Sequence, residues 1–103
     1  MRSDRERLLD IMEAIGKIEK RVGPDQKAFE QDELLQVWTV HYLQIIGEAV
    51  TRLSGQLRKK HPEIPWGNII GMRHILVHGY FDIDLEIVWK AVVHDLPELK
   101  LRI

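Results

Sequence analysis

Apolar side chains recur every third or fourth position through two long stretches of this chain. Nowhere does it keep the strict alternation that a half-buried strand needs. In the first stretch Leu8, Ile11, Met12, Ile15, Ile18 and Val22 fall on one helical face. Ser3, three residues before Glu6, has the spacing of a capping box. Gly23-Pro24 ends the helix, because proline cannot continue it. The second stretch predicts one long helix from about Gln31 to Lys60. Leu34, Leu35, Trp38, Tyr42, Ile45, Ile46, Ala49, Leu53 and Leu57 carry its spacing, and Gly47 is expected to weaken or bend it. Arg58, Lys59, Lys60 and His61 crowd its end, where cations complement the helix dipole.

His61 to Pro65 is a stiff connector, and Pro65 suits the first position of a third helix. That helix holds Trp66, Ile69, Ile70, Met72, Arg73, Leu76 and Val77, with an exit at Gly79. Asp82 or Asp84 then caps a fourth helix with Ile87, Val88, Val92 and Val93. Asp95-Leu96-Pro97-Glu98 reads as a break followed by a short terminal turn. The expected architecture is an all-α antiparallel four-helix bundle with a short fifth helix, in one domain over residues 1–103.

A domain of 103 residues buries about two-thirds of the surface its unfolded chain exposes. With 45% apolar residues it has one core, and chains this short often bury more surface against a partner. The three tryptophans, Trp38, Trp66 and Trp89, fit the core or that interface better than a base-stacking platform. No cysteine is present, which excludes disulfides and thiolate metal sites and suits a reducing cytoplasm. No apolar run approaches the roughly 20 residues of a membrane span, and the charged start MRSDRERLL carries no apolar signal segment. Fifteen Lys+Arg against 16 Asp+Glu leave a net charge of -1, so no global basic field draws in nucleic acid. Any RNA contact has to be local.

The segment that can carry chemistry is GMRHILVHGY, residues 71–80. It gathers Arg73, His74, His78 and Tyr80 around an apolar center. A guanidinium presents a planar, always charged fork to phosphate oxygens. An imidazole gives and takes protons near neutral pH. Together they suffice for metal-independent RNA cleavage by the RNA's own 2′-hydroxyl: the histidine moves protons and the arginine steadies charge in the transition state. In one regular helix Arg73 and His78 would point about 140° apart. Either the helix ends near Val77 so that His78 swings round, or two chains complete the site. Structural readings stand beside the catalytic one. Arg73 could pair with Glu48 or Asp82, and Tyr80 with Phe81 could anchor a turn. His41 is expected among core residues and His94 near a helix end. His74 and His78 have zinc-ligand spacing, but the glutamate of an H-E-x-x-H motif is missing, so no metal or cofactor is expected.

The run Arg73, four residues, His78, one residue, Tyr80 resembles the motif of the HEPN superfamily, in its HepT-like branch. His74 fills the polar place that follows the arginine. IPWGNIIGMRHILVHGYFDIDLEIVW, the later DLPEL and the earlier IIGEA extend the likeness across the chain. The resemblance implies a dimerizing helical bundle with two motifs in a shared cleft. It implies a metal-independent endoribonuclease toxin of a type VII-like toxin–antitoxin pair, with Arg73 and His78 catalytic and His74 in support. It also implies a minimal nucleotidyltransferase antitoxin as partner, in a hetero-oligomer, transferring AMP onto Tyr80. The alternative is a non-catalytic helical module that binds a nucleotide or the nucleotidyltransferase.

Overall fold

The computed structural model describes residues 2–71 and 84–102, and within them the chain is helical with no strand. Helix α1 (Asp4–Arg21) opens on the expected capping box. The Glu6 amide donates to Ser3 Oγ at 3.2 Å, and the Ser3 amide donates to Glu6 Oε1 at 3.1 Å. Val22 leaves the helix in extended conformation just before Gly23-Pro24. Ile11, Ala14, Ile15 and Ile18 are buried, as the apolar spacing requires.

A short α2 (Gln26–Glu30) follows, which apolar periodicity did not reveal because five residues are too few to show a period. Its start is signalled by Asp25, whose Oδ1 accepts the Lys27 amide at 3.0 Å, and it buries Phe29. Helix α3 (Glu33–Thr51) is capped by Asp32. It runs antiparallel to α1. The Trp38 indole donates to the Lys17 carbonyl at one end, and Ser54 bonds to the Asp4 carboxylate at the other. Val40, Leu43, Ile46 and Val50 form its inner face and are essentially inaccessible.

The expected single helix from Gln31 to Lys60 is in fact two. The break is not at Gly47, which lies buried within an uninterrupted α3, but at Arg52–Ser54. There the Ser54 amide and hydroxyl both donate to Asp4, at 3.0 and 2.7 Å. Ser54 Oγ in turn accepts the Leu57 amide and so starts α4 (Gly55–Lys60). Serine at a cap offers the backbone an alternative to continuing the helix. The packing of α3 outweighs the weak propensity of one glycine.

Residues 66–71 form α5. After the undescribed residues, α6 (Leu85–Lys90) continues through a π-helical turn (Ala91–Asp95) into α7 (Leu96–Arg102). The break expected at Asp95–Glu98 is thus a widened turn. Pro97 has no N–H for the Val93 carbonyl and would clash with it in a regular α-helix. One extra residue in the turn relieves this, and the Leu96 amide reaches back to the Ala91 carbonyl. Val88, Ala91, Leu96 and Leu99 seal the core from this side. No helix among the described residues is long and apolar enough to cross a membrane.

Candidate active site

Arg73, His74, His78 and Tyr80 lie outside the described residues, as do Gly79, Phe81 and Asp82. The structure therefore describes the frame that delivers the motif segment and takes it away. On the upstream side, the Trp66 indole N–H donates to two carbonyls, Arg58 at 3.1 Å and His61 at 3.0 Å. Both carbonyls also accept backbone amides, Arg58 from His61 and His61 from Ile64, so the indole is a second donor that ties the end of α4 to the start of α5. Ile64 and Ile69 are buried on either side of it. The Ile69 amide bonds to the Pro65 carbonyl, so proline sits at the cap, one position before the first helical residue where it was expected. Downstream, Asp84 rather than Asp82 is the observed cap of α6: its Oδ1 accepts the Glu86 and Ile87 amides at 3.0 and 3.4 Å. Val88 is buried and Trp89 packs on Phe29, with ring centroids 5.5 Å apart. The described residues flanking the motif segment are thus set by an indole upstream and a cap downstream.

The tryptophans are half-buried, and Trp66 and Trp89 pack against the core. Arg58, Lys59 and Lys60 occupy the last turn of α4, where their charges complement the dipole. His41 corrects an expectation. It is exposed, with its ring set edge-on to Tyr42 at 5.0 Å, because it falls on the outer face of α3. His94 is exposed in the π-helical turn.

Several charged groups of the frame are paired. Arg52 Nε meets Glu48 Oε1 at 2.6 Å, and Arg2 grips both Asp10 oxygens at 2.9 and 2.7 Å. The Ser54 hydroxyl, then its amide, holds the Asp4 carboxyl below its ordinary range. Glu63 is lowered first by its own backbone N–H and then by His61, which lies 3.2 Å away. Among the described residues no group of histidines and carboxylates could hold a metal ion.

One opening of about 630 Å³ lies between α1 and α3. Ala14, Ile45 and Ala49 line its apolar part, and Arg7, Glu48 and Arg52 stand among its charged groups. Sequence periodicity did not isolate this groove, because Ile45 and Ala49 were counted with the core positions of α3. The signal was present in the registry: Ile45 is about 140–160° away from Val40 and Leu43 around the helix.

Comparison with known proteins places the chain. The model of the family described as "Ribonuclease HepT-like" matches residues 11–103, which includes the whole motif segment. The chain belongs to the ribonuclease HepT-like family. A Thermococcus cleftensis protein named "probable ribonuclease HepT" is 39% identical over 102 residues, covering 96% of this chain and 91% of its own. A Methanocaldococcus jannaschii protein whose name proposes an RNase is 35% identical over 97 residues, covering 93% and 89%. A Caldanaerobacter subterraneus protein with a name of the same kind is 38% identical over 86 residues, covering 84% and 77%. No solved structure matches the chain. The helical frame is consistent with membership in this HepT-like family.

Proposed function

We propose that this chain is a metal-independent endoribonuclease whose catalytic pair is Arg73 and His78. The observation that carries the reading is the match to the HepT-like ribonuclease family across the segment holding Arg73, His78 and Tyr80. In the proposed step His78 takes the proton of an RNA 2′-hydroxyl. The 2′-oxygen attacks the adjacent phosphorus and the bond to the 5′-oxygen breaks, leaving a 2′,3′-cyclic phosphate. The leaving oxygen receives a proton, from the imidazolium or from water. Arg73 neutralizes the charge that accumulates on the nonbridging oxygens. His74 supports the pair by hydrogen bonding. Two copies bring two motifs into one cleft, which removes the difficulty that Arg73 and His78 diverge on a regular helix.

The reading extends to control. The chain acts as the toxin of a pair, and a minimal nucleotidyltransferase antitoxin transfers AMP from ATP to Tyr80. The phenolic oxygen bonds to the α-phosphorus, pyrophosphate leaves, and the phenolic proton goes to solvent. An anionic group beside Arg73 would then occupy the place of an RNA phosphate.

The test is cleavage of RNA in EDTA. Wild type cleaves, and Arg73→Ala and His78→Ala lose cleavage while keeping the melting temperature. Cleavage unchanged in both variants would overturn the reading. Nucleotide binding without cleavage across a broad RNA panel would favor a regulatory module, which the net charge of -1 would suit. Labeling by antitoxin and ATP that survives Tyr80→Phe would exclude Tyr80 as the acceptor.

A further inference from the structure

The last turn of α4 holds three consecutive cations, Arg58, Lys59 and Lys60. Among the described residues no carboxylate pairs with any of them, whereas Arg2, Arg52, Lys100 and Arg102 each meet one. Glu63, which follows the cluster in the chain, is engaged by His61 at 3.2 Å. The helix dipole makes cations welcome here, yet it leaves their hydrogen-bonding capacity unused. The carbonyls at this helix end are already served. Arg58 O accepts the His61 amide and the Trp66 indole, and His61 O accepts the Ile64 amide and the same indole. Arg58 is half-buried, and its Nε is sealed from solvent with no acceptor among the described residues. A shielded N–H of a charged group without an acceptor is costly. The fold bears that cost to hold the guanidinium in place, and its Nη groups, which no described residue engages, are the part offered outward. The indole also joins this turn to α5. Gly71 lies about 8 Å along that helix from Trp66, and Arg73 follows two positions later in the sequence.

We propose that Arg58, Lys59 and Lys60 form a phosphate-holding site that grips the RNA backbone to one side of the bond that is cut. Successive residues leave a helix about 100° apart, so the three cations fan around the end of α4. One compact anion cannot meet all three, but a strand with a charge at every repeat can. Lys59 and Lys60 are exposed and act as point charges. Arg58, held by its buried Nε, presents a fixed fork to two oxygens of one phosphate. The site also answers the net charge of -1, which gives the whole molecule no field to draw in RNA. Here three positive charges stay unneutralized on the turn that is tied to the helix leading into the motif. The proposal rests on the ribonuclease reading only for the identity of the polyanion.

The probe is a fluorescein-labeled 2′-O-methyl RNA, which lacks the nucleophile of the proposed cleavage and so reports binding alone. Fluorescence anisotropy with the full chain follows its affinity from about 50 to about 200 mM salt. Lys59→Gln with Lys60→Gln weakens binding by about tenfold at the lower salt and reduces the slope of log affinity against log salt by about 1.4, the loss of two single-strand phosphate contacts. Lys20→Gln with Lys27→Gln removes the same charge from exposed lysines in the last turns of α1 and α2, and leaves the slope as it was. Arg58→Lys keeps the charge but gives up the fork, and it weakens binding without lowering the melting temperature. In cleavage of unmodified RNA the loss at Lys59 and Lys60 falls on KM rather than kcat. Equal slopes in the two lysine pairs overturn the proposal and leave the ribonuclease reading in place. Poly-L-glutamate bound through Lys59 and Lys60, with no RNA bound, overturns it in favor of an acidic protein partner. Lysine-dependent binding by a chain that cleaves no RNA keeps this site and overturns the ribonuclease reading instead.

Discussion

The two halves of this chain are held together by different means. From Ser3 to Lys60, backbone ends are closed by short side chains, one cap per helix: Ser3, Asp25, Asp32 and Ser54. Helices α1 and α3 bury regular rows of isoleucine, leucine and valine between them. From His61 onward the regularity goes. The connections rest on an indole bonded to two carbonyls, on Asp84, on an aromatic contact between Trp89 and Phe29, and on a π-helical turn that accommodates Pro97. The half that is built by repetition is scaffold. The half that departs from it flanks the motif segment on both sides.

That contrast makes graded predictions. The largest effect belongs to the repetitive half. Leu43→Ala or Ile46→Ala, each at a fully buried position, lowers the unfolding free energy by about 2–5 kcal/mol in denaturant titration. RNA cleavage per folded molecule stays unchanged. Trp66→Phe is smaller in stability, about 1–2 kcal/mol, because it leaves the Arg58 and His61 carbonyls without their indole donor. It nevertheless reduces cleavage well below the core variants, since the upstream end of the motif segment loses its anchor. The caps form a matched pair: Ser3→Ala and Asp84→Ala each cost about 1 kcal/mol. Only Asp84→Ala lowers kcat, because α6 takes over the chain directly after the motif segment. Equal kcat in the two variants would erase the distinction between the halves.

The smallest effect is a pH dependence at the scaffold's own joint. Asp4 joins the start of α1 to Ser54, whose hydroxyl and amide hold its carboxyl below the ordinary carboxylate range. A folded-state pKa below the unfolded one means that the unfolded chain binds the proton more tightly. The contribution is present above the unfolded pKa, and it is lost as pH falls through the folded one. Melting temperature measured from pH 7 down to pH 2.5 therefore falls on the acid side, and Asp4→Asn flattens part of that fall.

Much of this was legible in the sequence. The capping box at Ser3 and Glu6, the stop at Gly23-Pro24 and the buried set Ile11, Ile15 and Ile18 all follow from local rules, and the structure bears them out. The failures come from what local periodicity cannot register. Ser54 breaks a continuous apolar pattern because Asp4, fifty positions away, bonds to it. Pro97 does not end a helix because the packing of Ala91, Leu96 and Leu99 holds both sides of the turn in line. His41 is outside because the spacing of α3 serves two faces at once, and periodicity alone cannot say which one meets the core. The residues proposed as the active site were legible only as a motif, since Arg73, His74, His78 and Tyr80 fall beyond the described frame.

The central claim is that Arg73 and His78 cleave RNA without a metal. The most direct measurement incubates the purified chain with RNA in EDTA and follows the formation of 2′,3′-cyclic phosphate ends. Wild type generates them, whereas Arg73→Ala and His78→Ala, matched to it in melting temperature, do not. Cleavage that disappears in EDTA and returns with a divalent ion, or that both variants retain in full, would contradict the account.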